Sequence, residues 1–265
     1  MSEPRRVKLL LEYDGTAYAG WQRQANALSV QEAVERALAA LTGEAVTLTG
    51  ASRTDAGVHA LGQVAHFDTR SEIPDDKFSY ALNTVLPPDI RARASSGVAP
   101  DFHARFHAAG KIYRYLIHSS PHAAAIDRHA CAHMIYPLDE VAMAREAQAV
   151  IGTHDFRAFA ASGSEAKSTV RTVHRIEVHR RGERYAVWVE GDGFLYNMVR
   201  ILAGTLIGVG SGKLGSGAIE RSIATGDRLA LGITAPAHGL TLVGVCYNEG
   251  RVKECFDRAI ATYGP

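Results

Sequence analysis

The chain has 265 residues, enough to bury a large core as one domain or two joined halves, and its 46% hydrophobic and 22% charged content is that of an ordinary globular protein. Its formal net charge of +1 excludes a global field that would draw it onto a polyanion. Arginines nevertheless cluster at Arg91/Arg93, Arg105, Arg171/Arg175 and Arg180/Arg181/Arg184, and each cluster suits either a local basic cleft or a solvated face. Cys131, Cys246 and Cys255 form no C-x-x-C and no zinc spacing, which argues against a structural metal or disulfide framework and for a reducing compartment. The charged start lacks the apolar stretch of a signal peptide. The longest other apolar run, near 201–209, falls far short of a membrane span, so a cytoplasmic protein without membrane attachment is expected.

In chain order, residues 7–13 read as a strand ended by Asp14-Gly15. Ser29-Val30-Gln31-Glu32 is a capping box, and Val30, Val34, Ala37, Leu38 and Leu41 continue it at helical spacing as far as Gly43. Strands near 46–49 and 63–68 flank a polar loop, a helix is expected over 75–83 before Pro87-Pro88, and a strand near 90–98 follows. Further on, 111–119 alternates as a strand, and 138–151 is an amphipathic helix opened by Asp139 and closed by Gly152. Residues 170–180 and 184–190 suit a hairpin about Arg181-Gly182. Helices are expected over 194–209 and 217–224, with Gly226 as C-cap, and a last strand over 241–247. Val252, Phe256, Ala259, Ile260 and Tyr263 lie at helical spacing in the tail. Two successive strand-and-helix blocks, over 1–105 and 106–247, predict an α+β chain with two similar halves, followed by a helical tail over 248–265.

Two motif readings fail. Gly210-Ser211-Gly212-Lys213-Leu214-Gly215 fits G-x-G-x-x-G but follows a helical segment, which removes the dinucleotide geometry. A phosphate-binding P-loop fails as well, because Ile207 stands where its first glycine belongs. His103 and His107, four apart, suit a metal on a helix, but no third ligand is near in sequence, so packing or RNA contact fits better. The densest polar stretch is Gly50-Ala51-Ser52-Arg53-Thr54-Asp55-Ala56-Gly57-Val58-His59-Ala60, followed by Gly62 to Phe67. Its single carboxylate, Asp55, suits a nucleophile, a general base or a cap on its own loop.

Several segments together resemble one family. Glu12-Tyr13-Asp14-Gly15, Gly20-Trp21-Gln22-Arg23-Gln24, the capping box, Gly50 to His66, Asp101-Phe102-His103-Ala104-Arg105-Phe106, Tyr113-Arg114-Tyr115, Asn197-Met198-Val199-Arg200 and Ala235-Pro236 to Gly239-Leu240 are similar, in order and spacing, to the tRNA pseudouridine synthase A (TruA) family. The likeness runs from about residue 7 to 247.

The resemblance implies a cofactor-free isomerase that converts uridine to pseudouridine at positions 38, 39 and 40 of the tRNA anticodon stem-loop. It implies two pseudosymmetric halves with mostly antiparallel sheets flanked by helices, a central active-site cleft, no metal, and a homodimer. Asp55 matches the catalytic aspartate, ionised at neutral pH, and Arg200 the basic residue paired with it. Tyr113 matches the tyrosine that stacks on the target uracil and stands ready for proton transfer, and Leu240 an apolar cover on the base's other face. Arg53 is the candidate to fill the gap left by a flipped base, or to pair with Asp55. His59 and Gln63 are expected to support the loop or touch RNA. A non-catalytic tRNA-binding protein on the same scaffold would lack Asp55 or Arg200, and an Asp-dependent hydrolase would need a second carboxylate or a metal cluster.

Overall fold

The computed structural model describes residues 3–161 and 167–264. The chain divides into two compact units, Met1–Ala109 with Leu242–Glu249, and Gly110–Thr241 with Gly250–Pro265.

In the first unit, β1 (Arg5–Tyr13) alternates strictly, with Val7, Leu9, Leu11 and Tyr13 buried. That period of two places one face on a core and makes its register hard to slip. β1 pairs antiparallel with β3 (His59–Thr69) and β4 (Ile90–Val98), and the two-residue β2 (Thr49–Gly50) joins the start of the loop to β3. The helix α1 (Val30–Thr42) has the predicted caps: Ser29 accepts from Glu32 N–H, and left-handed Gly43 donates to Ala39. Val30, Val34, Ala37 and Leu38 form its buried stripe. The expected helix over 75–83 contracts to α2 (Phe78–Leu82). Its first turn is lost because Asp75 turns to the Arg5 guanidinium, 2.6 Å away, while the Asn83 side chain bonds both backbone groups of Ala92.

In the second unit, β5 (Gly110–Ser119), β9 (Arg184–Gly191), β8 (Val170–Arg181) and β7 (Gly152–Asp155) are neighbours in that order, all antiparallel. β6 (Ala132–Met134) adds in parallel to β5. The short β6 and β7 escape the sequence pattern, since three or four residues are too few to show a period. The hairpin at Gly182 is as expected, with φ of +62° at that glycine. The helix α3 (Glu140–Ala147) is capped by Asp139 and tightens into a single 3-10 turn, Gln148–Val150, short of the expected end. The next helix, α4 (Met198–Gly210), starts four residues later than its apolar spacing suggests, because Asn197 adopts φ of +62° and breaks the turn. It is followed by α5 (Ala218–Thr225), with Gly226 as its left-handed C-cap.

The strand β10 (Leu240–Cys246) returns the chain to the first unit beside β3, and α6 (Val252–Tyr263) packs on β5. Phe256 of α6 lies 6.3 Å from Trp188 and 4.6 Å from the Arg175 guanidinium, Asp257 pairs with Arg175 at 2.6 Å, and Arg114 donates to the Tyr263 carbonyl. One expectation is overturned: Cys246 and Cys255 are disulfide-bonded, and Cys131 is the free cysteine among the described residues. Their sequence spacing matches no motif. No helix is long and apolar enough to cross a membrane among the described residues.

Candidate active site

The loop carrying Asp55 leaves β2 and enters β3, and its backbone is gripped from three directions. Ala51 N–H donates to Val64 on β3, and the Gln63 side-chain amide takes both sides of Ser52, accepting from its N–H at 3.2 Å and donating to its carbonyl at 2.7 Å. Gln63 is fully buried, so its satisfied amide costs little while fixing the loop's entry. From the side, Trp21 N–H donates to Thr54 carbonyl at 3.0 Å and Gly57 N–H to Tyr18 carbonyl. The Tyr13 hydroxyl lies 2.7 Å from the Thr54 hydroxyl in a buried contact. Within the loop, Val58 N–H closes a turn onto the Asp55 carbonyl.

This clamp needs glycine on the opposing segment. A side chain at Gly15 would place its Cβ 2.0 Å from the Val58 carbonyl oxygen, and one at Gly20, where φ is +93°, would lie 2.6 Å from that of Thr54. His59 completes the hold: its Nδ1 accepts from Gly15 N–H and lies 3.1 Å from the Asp14 carboxylate. His59 and Gln63 both support the loop, as one of their two expected roles has it. Tyr13, Thr54, Gly15 and Gly20 are further supports that sequence reasoning misses. The Asp14-Gly15 and Gly20-Trp21 dipeptides are the sequence signal that points there.

The outcome is a half-buried Asp55 between exposed Arg53 and exposed Ala56, on a backbone anchored at nearly every residue. Both Asp55 and Arg53 belong to the first unit.

Tyr113, Arg200 and Leu240 belong to the second unit. Tyr113, on β5 and 5% exposed, meets Phe194 edge-on at 5.3 Å. Three residues later Asn197 accepts from the Arg200 guanidinium at 2.6 Å, and the same guanidinium donates to the Ala235 carbonyl at 2.9 Å. Ala235 N–H bonds back to the Arg200 carbonyl. Arg200 is therefore half-buried and oriented by its own unit rather than solvated on a helix surface.

Tyr115, two residues along β5, is fully buried and donates from its hydroxyl to the Pro236 carbonyl at 2.9 Å. Burial raises its hydroxyl pKa, so it stays protonated as a donor. Gly239 packs against this ring, where an added Cβ would lie 2.6 Å from Cζ. Arg200 and Tyr115 thus hold 235–239, which delivers Leu240, 5% exposed, to the start of β10. Of the tyrosine pair, Tyr115 is the structural member, a role the alternation alone leaves open.

His103 and His107 serve the backbone of their own turn. Both Nδ1 atoms accept backbone N–H bonds, from Arg105 and Phe106 and from His103 respectively. Among the described residues no group of three His, Cys, Asp or Glu side chains is arranged to hold an ion.

Comparison with known proteins identifies the family. The sequence matches the tRNA pseudouridine synthase family over residues 10–107 and 147–248. It is 54% identical over 243 residues to a protein of Acetivibrio thermocellus and 53% identical over 244 residues to one of Ruminiclostridium cellulolyticum, both named tRNA pseudouridine synthase A. A relative of that name from Geotalea daltonii is 46% identical over 243 residues. Each alignment spans 92% of this chain and the whole of the relative. With that extent of identity, and with mostly antiparallel α+β units carrying the matched motifs, the chain belongs to the tRNA pseudouridine synthase family, a family of isomerases.

Proposed function

We propose that this chain isomerises uridine to pseudouridine at positions 38, 39 and 40 of the tRNA anticodon stem-loop, with Asp55 as the catalytic carboxylate, acting in the cytoplasm as a homodimer. The reaction breaks the N1–C1′ bond, turns the uracil and forms the C5–C1′ bond. N1 gains a proton and C5 loses one, so the balance calls for no oxidant or reductant. A carboxylate suits this chemistry because it can attack an electron-poor carbon or accept a proton while remaining a good leaving group.

The observation that carries the reading is the mounting of Asp55. Its loop is bonded through Ala51, Ser52, Thr54 and Gly57 to neighbouring segments, closes on itself from Val58 to Asp55, and through its Val58 and Thr54 carbonyls leaves no room for a Cβ at Gly15 or Gly20. Such an anchorage holds a reacting group within the sub-ångström tolerance that chemistry demands. Arg53, exposed beside it, is assigned to the phosphate backbone and to the space left when the target base leaves its stack. In the second unit Tyr113 is assigned to stacking and to the C5 proton, Leu240 to the opposite face of the base, and Arg200 to favouring the ionised carboxylate.

The test is Asp55→Asn, which keeps the shape and removes the charge. Turnover measured by pseudouridine mapping on tRNA should fall at least about 10³-fold, while tRNA binding and thermal stability persist. Turnover near the unsubstituted rate would remove Asp55 from the chemistry.

A further inference from the structure

The turn at 102–107, in the first unit, holds its backbone as completely as the Asp55 loop does. Phe102 N–H donates to the Ala99 carbonyl, His103 N–H to His107 Nδ1, and Ala104 N–H to His66 Nδ1. Arg105 and Phe106 N–H both reach His103 Nδ1, and His107 N–H reaches the His103 carbonyl. Two carbonyls are bonded as well, Phe102 by Arg6 and Ala104 by the Tyr247 hydroxyl. All six consecutive N–H groups are thus satisfied, four of them by imidazoles.

Beneath the turn, His66, His103, Phe102, His107 and Tyr247 form a chain of ring contacts, with centroids between 5.1 and 6.0 Å apart. On top, Phe106 stacks on His103 at 4.2 Å with planes 30° apart, yet its side chain is on the surface, 74% exposed. The Arg105 guanidinium lies 5.9 Å from that ring, and Lys8 lies 5.8 Å from the ring of Phe102.

A phenylalanine left in water forfeits its burial energy, and a floppy surface loop would let it collapse inward. Here the turn forbids collapse and presents one ring face outward beside a guanidinium. Cations outnumber carboxylates around the turn: after burial, His107, Arg6 and Arg105 hold the His103 proton affinity below normal, while Asp101, which precedes the turn, acts on Arg6. The nearest carboxylate on the strands below, Asp68, is taken up by two bonds from Arg6.

We infer that Phe106 and Arg105 form an accessory RNA platform, on which an unpaired base of the tRNA stacks against the Phe106 ring while Arg105 meets an adjoining phosphate. This rests on tRNA being the substrate, but not on any role for Asp55. Stacking on an aromatic face with a cation beside it is how proteins hold unpaired nucleotides. An apolar protein partner would find only one exposed ring set among charges.

Binding of unfractionated tRNA, measured without turnover, tests the platform. Phe106→Ala should weaken affinity about tenfold, within the range of single stacked bases, with the melting temperature unchanged. Arg105→Gln should weaken it as well and lower the log–log salt slope by about 1. Phe106→Trp provides a readout independent of affinity, because Trp21 and Trp188 are buried and the new indole would be the exposed one. Its fluorescence should be quenched as tRNA is added. Unchanged affinity in Phe106→Ala, or an unquenched indole in Phe106→Trp protein that binds tRNA, would overturn the platform. A change in oligomeric state without a change in tRNA affinity would overturn it in favour of a protein contact.

Discussion

The Asp55 loop of the first unit and the 235–240 segment of the second both carry assigned site residues, and they are held by different balances of backbone and side-chain bonds. Around Asp55 backbone bonds of Ala51, Thr54 and Gly57 act together with the short-reach side chains of Gln63, Tyr13 and His59, and Gly15 and Gly20 let the opposing segment approach the Val58 and Thr54 carbonyls. Along 235–240 the grip is mostly exerted by long side chains, Arg200 on Ala235 and Tyr115 on Pro236, beside one backbone bond from Ala235 N–H to the Arg200 carbonyl. Close backbone approach also occurs in the second unit, where a Cβ at Gly204 would lie 1.8 Å from the Ile233 carbonyl oxygen, but it stops short of the residues beside Leu240. A backbone clamp has almost no freedom to re-form elsewhere, whereas a side-chain tether can lengthen or change rotamer. The carboxylate proposed to react thus has the more rigid mount, and the groups proposed to cover and orient the base have the more adjustable one.

Breaking the rigid mount should have the largest effect. Gly15→Ala drives a Cβ into the Val58 carbonyl, and since both atoms belong to backbone, the loop must move. A loss of at least about 2 kcal/mol in stability is expected, together with a turnover loss on the order of 10²-fold from misplacing Asp55. Chemical denaturation and single-turnover kinetics read the two effects separately. A variant that is destabilised yet fully active would show that the clamp is not needed for chemistry.

The adjustable mount should respond more mildly. Arg200→Lys keeps the charge but loses the planar fork that reaches Asn197 and Ala235 together. We expect turnover to fall roughly tenfold, with little change in melting temperature. A loss as deep as that of Gly15→Ala would place both mounts on the same footing.

The smallest effect is expected from Tyr115→Phe, which removes one buried hydrogen bond to Pro236 and keeps the ring that packs on Gly239. The cost should be about 1–2 kcal/mol, seen as a melting shift of roughly 2–8 °C in a chain of this size. Turnover at saturating tRNA should drop less than in Arg200→Lys. The reverse order would identify the Pro236 tether, not the Arg200 fork, as the one that positions Leu240.

What can be read from residues alone is local. The caps of α1 at Ser29 and Gly43, the two-period burial of β1, the Gly182 hairpin and the polar loop around Asp55 depend on neighbours within a few positions, and each is legible. So is the family, because its motifs recur in order along the chain. Other features depend on partners distant in sequence, and only the folded chain decides them. Asp75 leaves its helix for Arg5, 70 residues away, which shortens α2. Gln63 serves the loop because β3 returns it beside Ser52. Tyr115 is a structural tyrosine because the Pro236 carbonyl accepts from its hydroxyl, and Cys246 and Cys255 are disulfide-bonded although their spacing matches no motif. Even the exposure of Phe106 is a tertiary result: imidazoles from 66, 103 and 107 hold its turn, while nothing in the sequence pattern sets it apart from a core aromatic. Periodicity and capping are short-range consequences of backbone geometry, whereas the choice among equivalent side chains is made by whatever the fold sets opposite them.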